Sequence, residues 1–172
     1  MSADDDICIG EGFVGQGVNA AHVNTVFGLR NGPVGVAWAT ALATPRQGHV
    51  PFVAVAKPNV PVVPFTLFVN KAEITSDAHG SLTWGAAQAG VAAGVAVAHE
   101  DGSLPTDCSD YVLIAAVWVN PDAIDEEEVF ANNRDAVASA LAMARAGGPM
   151  LEDALVAMTN PTNPYFRKQF YS

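Results

Sequence analysis

Positive charge is scarce in this chain. Eight lysines and arginines face eighteen aspartates and glutamates over 172 residues, a formal net charge of −10. Nucleic-acid binding needs clustered basic side chains, so the charge balance argues against that class. Charge of either sign is sparse, at 15 % of residues. That is low for a soluble monomer, and it points to surface covered by partner subunits. Cysteine is nearly absent. Cys8 and Cys108 lie far apart, form no metal-ligand spacing and speak for a reducing compartment over a disulfide scaffold. The start, Met-Ser-Ala-Asp-Asp-Asp, is acidic and lacks the basic and apolar regions of a signal peptide. The Ala/Gly/Val stretch at residues 85–98 is too short to span a bilayer and is interrupted by Gln88. A cytoplasmic protein that engages neither membrane nor nucleic acid is the expectation. Internal repeats, low-complexity segments, a phosphate-binding glycine loop and a nucleophile elbow are also missing.

What is present suffices for one domain with a real core, since 50 % of the residues are hydrophobic. Residues 7–14 and 20–27 read as neighbouring strands joined by the turn-prone Gly15-Gln16-Gly17. Pro33 suits the first turn of a helix that continues through residues 34–42 and is ended by Pro45 and Gly48. Residues 50–56 are continuously apolar, as in a central strand, and Pro58, Pro61 and Pro64 predict a stiff extended connection. A further strand covers residues 66–74. Ser76-Asp77-Ala78-His79 opens a helix that runs to about Glu100 and stops near Gly102. Its Ala86, Ala89, Gly90, Ala93, Gly94 and Ala98 permit close approach of a packing partner, either inside the chain or at a subunit interface. Residues 111–120 are the most apolar strand. The acids 125–128 charge the start of a last long helix, which ends at Gly147-Gly148. A short helical patch follows at residues 152–158. Strands mixed with three substantial helices predict an α+β or mixed α/β layered domain.

Candidate chemistry centres on His22. In the strand at residues 20–27, side chains two apart share a face. Ala20, His22 and Asn24 point one way; Ala21, Val23, Thr25 and Phe27 point to a core. Histidine is the side chain suited to proton transfer near neutral pH. A single strand histidine is nonetheless more often a satisfied structural residue. Likewise Lys71 reads first as a solvated edge charge, and Gln88 as either functional or a surface position. His49, His79 and His99 look like loop or helix-end residues without paired spacing, so metal ligation is not expected.

The company of His22 tips the balance. Gly10-Glu11-Gly12-Phe13-Val14-Gly15 precedes it. Residues 54–61 (AVAKPNVP), 66–71 (TLFVNK), Trp84-Gly85-Ala86-Ala87-Gln88 and Val117-Trp118-Val119-Asn120-Pro121 follow. In this order and spacing they resemble the formaldehyde-activating enzyme family, from about Gly10 to about Gly147, with residues 1–6 an acidic N-terminal segment and 149–172 a divergent C-terminal tail. The resemblance implies a single-domain two-layer α/β sandwich, with helices packed on one face of a mixed sheet, assembled as a homopentamer. It implies a metal-free lyase of one-carbon metabolism, formaldehyde detoxification and methylotrophy. The reaction condenses formaldehyde with tetrahydromethanopterin, as co-substrate, to 5,10-methylenetetrahydromethanopterin. Attack of an amine on formaldehyde gives a carbinolamine, and departure of its hydroxyl is the step a positioned acid assists. By resemblance His22 is that catalytic proton donor, and Asn24, Val53, Lys71, Glu73 and Gln88 are the ligand-binding positions. Three depart from the family pattern, which has Asp, Leu and Thr in place of Asn24, Val53 and Glu73. Glu73 predicts a compensating move of the missing carboxylate, two residues from Lys71 on one strand face. The alternative reading is a catalytically weak paralogue that binds a reduced pterin or responds to formaldehyde.

Overall fold

A computed structural model describes residues 7–163; the acidic segment 1–6 and residues 164–172 lie outside it. A five-stranded sheet carries the fold, in the order β1-β2-β7-β6-β3. The strands are β1 (Cys8–Val14), β2 (Ala21–Leu29), β3 (Phe52–Val53), β6 (Phe65–Asn70) and β7 (Tyr111–Trp118). Only β6 and β7 run parallel; the other neighbours are antiparallel, so the sheet is mixed. The alternation predicted for β2 is observed. Ala21, Val23, Thr25 and Phe27 are buried, while His22 and Asn24 are only partly covered.

The buried face packs on α3 (Gln88–Glu100) and α4 (Glu126–Arg145). Asp125 caps α4 by accepting the Glu128 N–H at 2.9 Å, which satisfies a donor the first turn leaves free. Val91 and Val95 from α3 and Val129, Val137 and Leu141 from α4 meet Phe68, Leu113 and Val117 in one cluster. Gly10 and Gly12 let β1 lie directly on the α4 backbone. A Cβ at Gly10 would fall 1.8 Å from the Ala140 carbonyl oxygen, and one at Gly12 2.0 Å from that of Ala136. The small residues of α3 serve packing within the chain: a Cβ at Gly90 or Gly94 would sit 2.5 Å from the carbonyl oxygen of Phe130 or Arg134 on α4.

The helix begins where predicted, with Ser76 accepting the His79 N–H at 3.2 Å. A first turn, α2 (Asp77–Ser81), leads through a π-helical segment, Leu82–Ala87, into α3. The whole runs Asp77–Glu100, 24 residues at hydropathy 1.2, so length and composition alone match a bilayer span. The sequence reading took only the shorter apolar stretch. Half of the helix's apolar window is buried in the chain, as in a core helix. α1 (Pro33–Ala43) lies across β2 and β7, burying Val34, and Trp38 Nε1 donates to the Phe65 carbonyl at 3.1 Å.

Three expectations are corrected. The apolar run at 50–56 is not a central strand. It is divided into β3, at the sheet edge, and β4 (Val55–Lys57), which leaves the sheet to pair with β5 (Val60–Pro61). The proline-rich connection is therefore a hairpin. Pro58 and Asn59 form its turn, with Asn59 at φ 66°, the position where such a turn needs a positive φ. The strand expected at 66–74 stops at Asn70, because its Nδ2 donates to the Gly48 and Ala72 carbonyls (2.7 and 2.8 Å) and turns the chain.

A last helix, α5 (Leu151–Thr159), buries none of its residues. Met150, Leu151, Leu155, Val156 and Met158 are all exposed.

Candidate active site

The outer face of β2 gathers the polar groups. Register sets His22 between Phe13 on β1 and Trp118 on β7, and Asn24 between Glu11 and Ala116. The Phe13 ring lies 5.8 Å from the imidazole, tilted by 45°. Glu11 Oε1 is 3.2 Å from His22 Nε2, and the two side chains are 48 % and 35 % exposed, so both are reachable by a ligand. Lys71 follows the end of β6, where its backbone N–H donates to the Val117 carbonyl at 2.8 Å. Its Nζ donates to Asn24 Oδ1 at 2.5 Å. Phe13, His22, Lys71 and Trp118 line one concavity of about 280 Å³. It offers flat aromatic surface, a titratable imidazole, a cation and a carboxylate at its edge, a set suited to proton transfer on a planar substrate.

Of the predicted residues, the structure brings together His22, Asn24 and Lys71. Val53 lies on β3, three strands from β2 and paired with Leu67; at a strand spacing of roughly 4.8 Å it is about 14 Å across the sheet. Glu73 is exposed and packs over Gly48, where an added Cβ would meet its Cγ at 2.3 Å. It makes no hydrogen bond or ion pair with Lys71 or Asn24. Gln88 is neither at the surface nor at this concavity. It is buried, accepts the Val55 N–H and donates to the Val55 carbonyl, both at 3.1 Å. This pair of hydrogen bonds satisfies the Val55 backbone on the side of β4 away from β5.

Sequence reasoning missed Glu11, Phe13 and Trp118 as site residues. Their signal was the same alternation that oriented His22: Glu11 and Phe13 share the face opposite Gly10 and Gly12. It also missed that His79 is buried, with Nε2 3.1 Å from the Val119 carbonyl, a structural tie between α2 and the end of β7. A larger concavity, about 540 Å³, is lined by residues 74–77, Gly80, Ser81 and Trp84. It holds no histidine, and the acid–base groups converge at the smaller one. No group of three or more potential metal-ligating side chains occurs among the described residues.

Comparison with known proteins follows the same residues. The family model described as formaldehyde-activating enzyme (Fae) matches residues 9–166. The chain belongs to the formaldehyde-activating enzyme family. A 5,6,7,8-tetrahydromethanopterin hydro-lyase from Methanosarcina barkeri (strain Fusaro / DSM 804) is 39% identical over 158 residues, 91% of this chain and 89% of the relative. A bifunctional enzyme Fae/Hps from Methanocella arvoryzae is 39% identical over 137 residues, 79% of this chain and 35% of that protein. Another from Archaeoglobus fulgidus is 34% identical over 158 residues, 91% of this chain and 40% of that protein. The chain thus spans nearly all of the first relative and a third to two-fifths of the bifunctional ones. The formaldehyde-activating enzyme match reaches beyond Gly148, over α5 and into the segment that the quoted blocks leave uncovered.

Proposed function

We propose that this chain condenses formaldehyde with tetrahydromethanopterin to 5,10-methylenetetrahydromethanopterin, with loss of water, as a hydro-lyase. The observation that carries this reading is His22 in the concavity with Phe13, Trp118 and Lys71, within a family-matched chain. His22 gives a proton to the departing hydroxyl and takes one back when the second amine closes the ring, so the imidazole is regenerated. Phe13 and Trp118 supply stacking surface for a pterin ring. Lys71 and Asn24 supply a donor and an amide for its polar edge. No step calls on a metal.

The reading includes a homo-oligomer, by family resemblance a homopentamer, with the pterin between subunits. Three observations support it. The concavity is at the lower edge of the roughly 300 to 1,000 Å³ of ligand sites. Val53 lies on the far edge strand from His22 within one chain, so a neighbour's copy can bring both positions to one ligand. The apolar side chains of α5 are uncovered, as at an association surface. A cytoplasmic location and a place in methylotrophic one-carbon metabolism belong to the same reading. That Cys8 and Cys108 are not joined in a disulfide supports the former.

The test is to incubate purified protein with tetrahydromethanopterin and formaldehyde and to subtract the spontaneous condensation. Acceleration above that background is expected. A rate equal to it overturns the reading. Light scattering at micromolar concentration checks the assembly, where a monomer contradicts it.

A further inference from the structure

We propose that Glu11 is the positioning residue of His22, holding its Nε2 proton so that Nδ1 is the ring nitrogen that exchanges protons with substrate. This rests on reading His22 as the acid of the proposed reaction.

The argument begins with β1. Gly10 and Gly12 press against the carbonyls of Ala140 and Ala136 with no room for a Cβ, so that face of the strand is taken up by α4. Between them Glu11 faces the other way, at a fixed register opposite Asn24. Its carboxylate reaches the imidazole on the same strand, 3.2 Å from Nε2. Asn24 is placed to compete for that role and does not take it, since its Oδ1 receives the Lys71 ammonium. Phe13 lies against the same ring. The imidazole is therefore held by two side chains of one strand, and Nδ1 is the ring nitrogen turned away from the carboxylate.

A carboxylate that accepts from one ring nitrogen selects the tautomer and the ring orientation. With Nε2–H on Glu11, the cationic ring releases the proton at Nδ1. The carbinolamine C–O bond breaks, its electron pair leaves with oxygen, and oxygen plus that proton departs as water. The ring, neutral with Nε2–H retained, recovers a proton at Nδ1 from the second amine as the new C–N bond closes. Protons and charge balance over the cycle, and Glu11 remains ionised throughout.

The experiment uses the full chain and the variants Glu11→Leu, Glu11→Gln, His22→Ala and the double variant Glu11→Leu/His22→Ala. Two-bond 1H–15N NMR without pterin reads the His22 tautomer, and the condensation assay reads kcat and KM. The expected parent tautomer is Nε2–H, kept in Glu11→Gln, which retains an acceptor oxygen, and mixed in Glu11→Leu. The kcat of Glu11→Leu is expected to fall roughly 10- to 100-fold, a part of what general-acid help is worth, with KM changed less than about twofold. In the His22→Ala background the Leu substitution is expected to have no further effect. An Nδ1–H parent, an undiminished kcat in Glu11→Leu, or an equal loss with and without His22 each overturns the proposal. If Glu11→Leu does not fold, the parent and Glu11→Gln spectra still decide. Full activity in His22→Ala would instead overturn the acid assignment, so the two failures are distinguishable.

Discussion

Lys71 reaches across β7 to donate to Asn24, from just beyond the end of β6 to the middle of β2. The intervening residue at the level of Asn24 is Ala116, small enough to leave the lysine stem its path. The pair joins a cation to a neutral amide, where the family pattern has a carboxylate. Glu73 does not restore that carboxylate, because its side chain lies over Gly48. Within one chain, the compensation expected from sequence spacing has no direct contact to act through.

Restoring the acid tests this. Asn24→Asp turns the Lys71 hydrogen bond into an ion pair, and Glu73→Thr removes a distant charge. The effects on pterin KM are expected to add within about 0.5 kcal/mol, as for sites without shared partners. A double-mutant cycle with larger coupling would show that the two carboxylate positions communicate.

His22→Ala is expected to lose on the order of 100- to 10,000-fold of the acceleration over spontaneous condensation. Its side chain is partly exposed and outside the core cluster, so the unfolding midpoint should barely move. Stopped-flow rates and a urea titration on one preparation check both halves.

Gly12→Ala is expected to destabilise the fold by about 3 kcal/mol or more, the upper range for overpacking. The added methyl meets the rigid Ala136 carbonyl instead of a side chain that swings away. Gly17→Ala is the contrast, since nothing lies within 4 Å of a Cβ there although its φ of 66° carries backbone strain. Urea midpoints of the two variants should separate clearly.

Gln88→Leu strips both partners from the Val55 backbone. Unsatisfied polar groups cost about 1–3 kcal/mol each, and the hairpin β4–β5 should exchange its amide hydrogens faster than β2 or β7. Hydrogen exchange localises the effect; uniform loosening would show that the clamp is not local.

Burial first, and then the neighbouring Asp107 carboxylate, push the Cys108 thiol above its ordinary value. The thiolate is the nucleophile, so Cys108 should resist iodoacetamide in mildly alkaline buffer until the protein is unfolded. Peptide mapping after a timed pulse gives the rate at this one residue.

Much of the frame was legible because local chemistry dictates it. The alternation in residues 20–27 placed His22 and Asn24 on the open face, and Ser76-Asp77 and the acids 125–128 marked the starts of their helices. What stayed hidden depends on long-range partners. The apolar run around Val55 mimics a central strand, and only a glutamine 33 residues away reveals how its backbone is satisfied. The end of β6 depends on the Asn70 side chain meeting Gly48, 22 residues earlier. Glu11 was in view as part of a pattern, yet its role as a neighbour of His22 needs the register of β1 on β2.

The π-helical segment Leu82–Ala87 acts as a phase shifter within one rod. In a regular α-helix His79 and Gln88, nine positions apart, would be about half a turn out of step at roughly 100° per residue. The wider turn delays the rotation, and both side chains are buried, one tied to Val119 after β7 and the other to Val55 in β4. One continuous helix is thereby bolted at two points to strands on different parts of the molecule. Tightening this segment to regular α-helix at unchanged length would turn the two ends half a turn apart and leave one of the two bolts facing water.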